Sequence, residues 1–185
     1  MQDALADGLV ELLARGDESG LGSLGVAGVV MQRQVAVVAA GTVDGVFGFM
    51  LERLKHLLAA EHPILICGYA GQSKNASKMI EELAMLAGIA VFEGNQTFNI
   101  SHEFPCFLGY SPNKHLPKAD VGILVDVDVP WFPADVQHGD KSFWAHIDVD
   151  TLKAASPMWT FPGNLRLQGD SGRILAQLVD RKEHT

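Results

Sequence analysis

Four aspartates come nearest, by residue type and spacing, to a chemical site in this chain. They follow two short apolar runs and are Asp126, Asp128, Asp148 and Asp150. Paired carboxylates can act as general acid and base or as metal ligands. No histidine or nucleophile has an obligate place beside them, so catalytic use is the less favoured interpretation. Asp126 and Asp148 end predicted strands and can accept hydrogen bonds from a ribose, whereas Asp150 caps the segment that begins at Thr151. Because Asp148 should face a crevice, we expect Asp148→Ala to cost no more than about 1 kcal/mol.

A second candidate site is the turn Gly68-Tyr69-Ala70-Gly71, which follows an apolar run and precedes a helix that Ser73 or Asn75 can cap. Glycines at such a turn let backbone amides approach a phosphate, and the helix dipole assists. Glycine also permits a tight strand-to-helix turn without any ligand. The sequence leaves both interpretations open.

Other motifs indicate little chemistry. Gly20-Leu21-Gly22-Ser23-Leu24-Gly25 matches G-x-G-x-x-G, but polar residues precede it, whereas a dinucleotide-binding turn must follow a strand. The seven histidines show no metal-ligand spacing, and two cysteines do not make a disulfide framework. Cys67 ends an apolar run, which favours a buried thiol.

Composition limits the possible function classes. The chain has 185 residues, which suits one domain with an added arm, and its 48% hydrophobic content is typical of a globular protein. Its 22 acidic and 14 basic residues give a net charge of −8, which disfavours nucleic acid and anionic lipid as partners. No apolar run reaches the roughly 20 residues of a membrane span, and the acidic N-terminus argues against a secretory signal. We therefore expect a cytoplasmic protein with neither nucleic-acid nor membrane partners.

From residue 43 onward, apolar runs typical of buried strands alternate with segments of helical spacing. The predicted strands are Ile64–Gly68, Ile89–Phe92, Val121–Val125, Phe143–Ile147 and Leu165–Leu167. Val35–Ala40 is either a further strand or a buried helix, and Glu93–Tyr110 is predicted to be mostly loop. The alternation predicts an open parallel α/β sheet flanked by helices, with ligands beyond the carboxyl ends of the strands.

Two of the predicted helices matter for that site. The inner face of the first is predicted to hold Met79, Leu83, Leu86 and Ala87. Gly88 is expected to end this helix, because glycine adopts the left-handed conformation at a helix terminus. Ser171 is expected to cap the last helix of the chain.

Six stretches carry a family resemblance by their order and spacing. They are His62–Gly68, Leu86–Val91, Ser101–Tyr110, Leu116–Asp120, Ala145–Asp150 and Leu167–Asp170. Together they resemble the central domain of the thiamine diphosphate-dependent enzymes that include acetolactate synthase, pyruvate decarboxylase and benzoylformate decarboxylase. The resemblance covers about two-thirds of the chain.

The resemblance implies a Rossmann-like parallel sheet of about six strands, shared with electron-transfer-flavoprotein and sirtuin-type nucleotide-binding domains. In some members of the family this domain binds FAD, and in others it binds ADP or no nucleotide. Matched position by position, the implied cofactor-binding residues are Gly68, Gly71, Asn95, Gln96, Asp148 and Asp170. The first four would flank a pyrophosphate, and the two aspartates would lie near the ribose or the adenine.

The chain also departs from the family pattern. After the third predicted strand it has Asp126, where many members have a glycine followed by a basic residue. Thiamine diphosphate chemistry needs a glutamate from an N-terminal domain and a G-D-G…N stretch for magnesium and diphosphate from a C-terminal domain. This chain has neither, since no Gly-Asp step in it is followed by glycine. We therefore expect the cofactor and magnesium to bind elsewhere in the parent enzyme, and no catalytic residue in this chain.

The sequence thus predicts an N-terminal arm or linker at residues 1–42 and the family's central domain at residues 43–185. It is interpreted as an excised or truncated structural domain of an acetolactate synthase-like carboligase or 2-keto acid decarboxylase. Its expected partners are the other two domains of that enzyme and further copies of itself. The loop Pro130-Trp131-Phe132-Pro133 is expected to pack against such a neighbour, together with the nearby Trp144, Met158, Trp159 and Phe161. The alternatives are a stand-alone nucleotide-binding module and, ranked last, a small NAD-dependent enzyme of sirtuin-like fold.

Overall fold

A computed structural model describes residues 35–37, 59–73, 75–94, 97–151, 153 and 161–182 of the chain. The described strands are β1 (Val35–Val37), β2 (Pro63–Cys67), β3 (Ala90–Glu93), β4 (Phe107–Gly109), β5 (Val121–Val125), β6 (Phe143–Asp148) and β7 (Leu165–Gln168). The described α-helices are α1 (Ala76–Ala87) and α2 (Ser171–Lys182). All five predicted strands are present to within a residue at each end. Of the two interpretations of Val35–Ala40, the strand is the one observed, over Val35–Val37.

The strands form one parallel sheet in the order β1-β7-β6-β5-β2-β3-β4. This confirms the predicted open parallel α/β architecture. About six strands were expected, and the described residues form seven, because the short edge strand β4 lies in a stretch predicted as loop. The chain runs outward from β2 through β3 to β4, then returns to β5 on the other side of β2. The strand order therefore reverses between β2 and β5, which is where ligands bind in sheets of this type.

The central strands are apolar throughout because helices or loops cover both faces of the sheet. Every residue of β2 and of β5 is buried. Cys67, the last residue of β2, is fully buried, and its thiol lies 3.6 Å from the carbonyl oxygen of Phe92. Burial raises the pKa of this thiol to about 12. The predicted buried thiol is confirmed.

Helices α1 and α2 pack side by side on one face of the sheet. The buried residues of α1 are Ala76, Ile80, Leu83 and Ala84. Leu86, which was predicted to face inward, is instead 42% exposed, because the buried stripe is centred on Ile80 and Leu83. Gly88 ends the helix in a left-handed conformation (φ 65°), as predicted.

The opposite face of the sheet carries a second apolar cluster that contains Trp131, Trp144 and Phe161. The ring centroids of Trp131 and Trp144 lie 5.0 Å apart, and Trp144 is fully buried. A β-carbon on Gly122, in the neighbouring strand, would lie only 2.1 Å from the Trp144 ring, so this tryptophan requires glycine there. The prediction of packing against a neighbouring molecule is therefore wrong for Trp131, Trp144 and Phe161, which pack inside their own domain, while Met158 and Trp159 lie outside the described residues.

Candidate functional site

A cleft of about 410 Å³ lies at the carboxyl ends of the central strands, beside the point where the strand order reverses. Its lining comes from the turn after β2, the ends of β5 and β6, and the start of α2. The lining residues are Tyr69, Gln72, Ser73, Asp126, Asp148, Val149, Lys153, Asp170 and Ser171. Three carboxylates and one ammonium group therefore meet in one space, although they come from three separate segments of the chain: the end of β5, the end of β6 with the loop after it, and the start of α2.

Beneath this cleft, the turn after β2 is hydrogen-bonded to the segment that follows β5. The amide of Gly68 donates to the carbonyl of Val125 (3.2 Å), and the amide of Tyr69 donates to the carbonyl of Asp126 (2.7 Å). The amide of Gly71 donates to the side-chain oxygen of Asn99 (3.0 Å). The turn is thus held by internal partners on both sides.

Asp126 adopts a left-handed backbone conformation (φ 46°), which few residues other than glycine favour. The Ser171 hydroxyl, at the start of α2, donates a hydrogen bond to the carboxylate of Asp126. Burial raises the pKa of Asp126, and the nearby charges of Asp148 and Asp170 add to the shift, while the Ser171 hydrogen bond opposes it. A strained, partly buried acid therefore lies at the centre of the cleft.

Lys153 joins two of the other acids. Its ammonium nitrogen lies 2.7 Å from a carboxylate oxygen of Asp148 and 2.8 Å from one of Asp128. Burial lowers the pKa of Lys153, but hydrogen bonds to both carboxylates outweigh it and leave the pKa raised. Asp148 is only 2% exposed, and its second oxygen accepts a hydrogen bond from the amide of Asp150 (2.8 Å). Asp148 is therefore a buried, paired acid, which disagrees with the small effect expected for Asp148→Ala.

Asp170 caps α2. One carboxylate oxygen accepts a hydrogen bond from the amide of Arg173 (2.8 Å), and the other accepts one from the Ser73 hydroxyl (3.3 Å). The prediction that Ser171 is the cap is therefore wrong by one residue, since Ser171 begins the helix and its hydroxyl turns to Asp126 instead.

A buried polar pair lies under the loop that follows β6. The guanidinium of Arg166 is 3.2 Å from Nδ1 of His146, and it also donates to the carbonyls of Thr151 and Phe161. Burial, and then the charge of Arg166, lower the pKa of His146 to about 4. Arg166 therefore holds Thr151 and Phe161 on the sheet, and His146 contacts its guanidinium.

The predicted site residues are thus partly assembled. Asp148 and Asp170 line the cleft, whereas Gly68 lies beneath it and Gly71 contacts Asn99. Asn95 and Gln96 lie outside the described residues. The sequence interpretation did not single out Lys153, His146 and Arg166, because short-range patterns show neither that Arg166 meets His146 nor that the loop after β6 folds Lys153 back onto Asp148. Within the described part of the chain, no group of three or more histidine, cysteine or acidic side chains is arranged to hold a metal ion.

The open parallel sheet and the cleft at its carboxyl edge define a Rossmann-like α/β domain. No protein-family model and no curated protein sequence matches the chain. Among solved structures, it is similar to the thiamine diphosphate-dependent 4-hydroxybenzoylformate decarboxylase of Rhodococcus jostii RHA1, with 19% identity and a TM-score of 0.58. It is also similar to the benzoylformate decarboxylase of Polynucleobacter necessarius, with 17% identity and a TM-score of 0.58.

These similarities cover most of this chain but a small part of the two enzymes. They extend over 78% and 72% of this chain, and over 28% and 26% of the Rhodococcus and Polynucleobacter chains. At sequence identities this low, the structural similarity establishes the fold alone. It confirms the family resemblance that the sequence predicted as a resemblance of fold. No helix of the described segments is both long and apolar enough to cross a membrane.

Proposed function

We propose that this chain serves as the central, non-catalytic domain of a thiamine diphosphate-dependent enzyme that decarboxylates 2-keto acids or joins them to a second carbonyl compound. The observation that supports the proposal most directly is the likeness in fold to a thiamine diphosphate-dependent decarboxylase and to a benzoylformate decarboxylase, of whose chains it covers 28% and 26%. Of the two reactions, the similar structures favour decarboxylation.

The chemistry of the cleft fits a structural role. Each of its acids has an internal partner: Ser171 for Asp126, Lys153 for Asp148, and the Arg173 amide with the Ser73 hydroxyl for Asp170. Groups that are paired in this way position secondary-structure elements rather than react with a substrate. The domain's contribution would be to hold the neighbouring parts of the enzyme at a fixed spacing.

Thiamine diphosphate and magnesium would be bound by the other two domains, which would also be the direct partners of this one. The sequence has no G-D-G…N stretch, and the cleft offers the cofactor's diphosphate three carboxylates. The cofactor would supply the electron sink for decarboxylation in that parent enzyme, and we assign none of its contacts to this chain. We place the enzyme in the cytoplasm and propose that it is a homo-oligomer.

Isolation of the native protein from its source cells tests the proposal. An antibody raised against this chain should recover a polypeptide or complex that also yields peptides with a G-D-G…N stretch. That material should release carbon dioxide from benzoylformate or pyruvate only with thiamine diphosphate and magnesium, whereas the chain alone should not. A pre-immune serum is the control. Recovery of the chain alone, or with partners that lack the cofactor-binding segments, would contradict the proposal.

The rival function, a stand-alone nucleotide-binding module, has weaker support. Its basis is the position of the cleft, which is where nucleotides bind in such sheets. The negative charge of the residues that line the cleft, and the hydrogen bonds that they already make within the chain, argue against this function.

A further inference from the structure

The crevice between β2 and β5 is the place where a nucleotide would bind in this type of sheet. We infer that the chain closes this crevice with its own residues Asp126 and Val127, so that no phosphate of FAD or ADP enters it. The inference is independent of which enzyme the domain serves. It depends on the hydrogen bonds, the space and the charge at the crevice.

The hydrogen bonds come first. A phosphate at a strand-to-helix turn is held by backbone amides that point at it. Here the amides of Gly68 and Tyr69 donate to the carbonyls of Val125 and Asp126. Farther along the turn, Gln72 and Ser73 donate to carbonyls of the turn itself, and Gly71 donates to Asn99. A phosphate would have to displace these bonds.

The space is also occupied. A β-carbon on Gly68 would lie 2.8 Å from the carbonyl oxygen of Asp126 and 3.0 Å from the α-carbon of Val127. A β-carbon on Gly94 would lie 3.0 Å from a methyl group of Val127. Val127 is only 1% exposed. Gly68, which was expected to admit a pyrophosphate, therefore admits the backbone of Asp126 and Val127 instead, and Gly94 at the end of the neighbouring strand admits the Val127 side chain.

The charge opposes an anion in the remaining space. The cleft above the crevice is lined by Asp126, Asp148 and Asp170, and the one lysine in its lining already contacts two carboxylates. A nucleotide diphosphate would bring further negative charge within a few ångströms of these acids, where repulsion is incompletely screened. The residues present do not fit FAD or ADP.

Nuclear magnetic resonance of the full chain tests the closure. Amide signals of Gly68 and Tyr69 are followed while ADP, and separately FAD, is added to millimolar concentration. We expect no saturable shift at either amide, whether or not a nucleotide binds elsewhere on the chain. A saturable shift at either one would overturn the inference.

Hydrogen exchange supplies an independent check of the same contact. Val127→Ala should speed exchange of the Gly68 and Tyr69 amides several-fold more than Val129→Ala, a matched change two residues away. Val129 is only partly buried, so its truncation should leave the crevice closed. Equal exchange in the two variants would overturn the role given to Val127. The titration of the unmodified chain remains decisive if either variant fails to fold.

Discussion

At the scale of single residues, the cleft and the sheet beneath it depend on a few close contacts. Gly68 meets the backbone after β5, Asp148 meets Lys153, and His146 meets Arg166. The first and third contacts join different strands or their ends, whereas the second folds the loop after β6 back onto the end of that strand. Substitutions at these residues should therefore change the free energy of unfolding more than substitutions at their exposed neighbours do.

Gly68→Ala should destabilise the fold by about 2 kcal/mol, because a new β-carbon would overlap the backbone of the segment after β5. The matched change is Gly169→Ala, whose β-carbon would meet only a methyl group of Ile174 at 3.4 Å. It should change stability by less than about 0.5 kcal/mol. Urea unfolding of both variants measures the difference. Equal stability of the two would show that the segment after β5 yields to a side chain at Gly68.

Lys153→Met should cost about 2 kcal/mol, because it leaves the buried carboxylate of Asp148 without its cation. We expect a smaller loss of stability than for a fully buried ion pair, because Lys153 is partly exposed. Adding Asp148→Asn should restore part of the stability by removing the uncompensated charge. Denaturant midpoints of the two single variants and the double variant form the cycle. Additive losses would indicate that Lys153 and Asp148 do not interact.

His146 should make the fold less stable as the pH falls. Its pKa is about 4 in the folded chain and near 6.5 in an unfolded one, so between these values the unfolded state binds more protons. Stability should therefore drop from about pH 7 to pH 4, by at most roughly 3 kcal/mol, and the loss should level off below pH 4. Asp126, whose pKa is raised, contributes with the opposite sign in the acid range.

His146→Gln isolates this contribution, since glutamine does not titrate and its oxygen can still accept a hydrogen bond from Arg166. Unfolding free energies at several pH values should show a flatter dependence in this variant than in the unmodified chain. His62→Gln, at an exposed position, should keep the original slope. An unchanged slope in His146→Gln would mean that another group causes the pH dependence.

At the scale of elements, helix α1 contains a pair of leucines that tests which face is buried. Leu83 is 2% exposed and Leu86 is 42% exposed. Leu83→Ala should therefore cost about 3 kcal/mol, as expected for a buried leucine, and Leu86→Ala less than about 1 kcal/mol. Thermal or urea unfolding of the two variants measures both values. A larger loss of stability for Leu86→Ala than for Leu83→Ala would support the sequence prediction that Leu86 faces inward.

The edge strand β4 differs from the central strands because it carries exposed apolar residues. We name Met85, Phe98, Leu108 and Tyr110 the β4 edge patch; all four are exposed. His102 connects the patch by stacking on Phe98 and by an edge contact with Tyr110. The buried carboxylate of Glu93, 2.9 Å from the His102 ring, fixes the orientation of that ring. Several exposed apolar groups on one edge favour association.

At the scale of the whole molecule, we expect the chain to self-associate at high micromolar concentration through the β4 edge patch. Phe98→Ser combined with Leu108→Ser should shift it towards monomer, because both side chains are more than half exposed. Val149→Ser is the matched control, since Val149 is also exposed but lies at the carboxyl end of β6, away from β4. Light scattering across a dilution series measures the masses. A monomeric mass at every concentration would contradict self-association. An equal shift in the control variant would contradict the role given to the β4 edge patch.

The sequence by itself determined the sheet. Continuous apolar runs such as Ile64–Cys67 and Val121–Val125 lack the alternation of a half-exposed strand, so they indicate burial on both faces. The alternation of such runs with helical segments then predicts parallel strands, and the acids that follow β5 and β6 must lie at one edge. These inferences depend on local composition and periodicity, which are properties of short segments.

Only the tertiary structure decided what the residues at that edge do. Gly68 was equally compatible with a phosphate and with a tight turn, and the fold placed Val127 against it. Asp148 was expected to be accessible, and the fold buried it against Lys153. Trp131 was expected to pack against a neighbouring molecule, and it packs on Trp144 of its own domain instead. The physical reason is common to these cases, since burial and pairing depend on which segments meet in the folded chain, and periodicity within a segment carries no information about its neighbours in space.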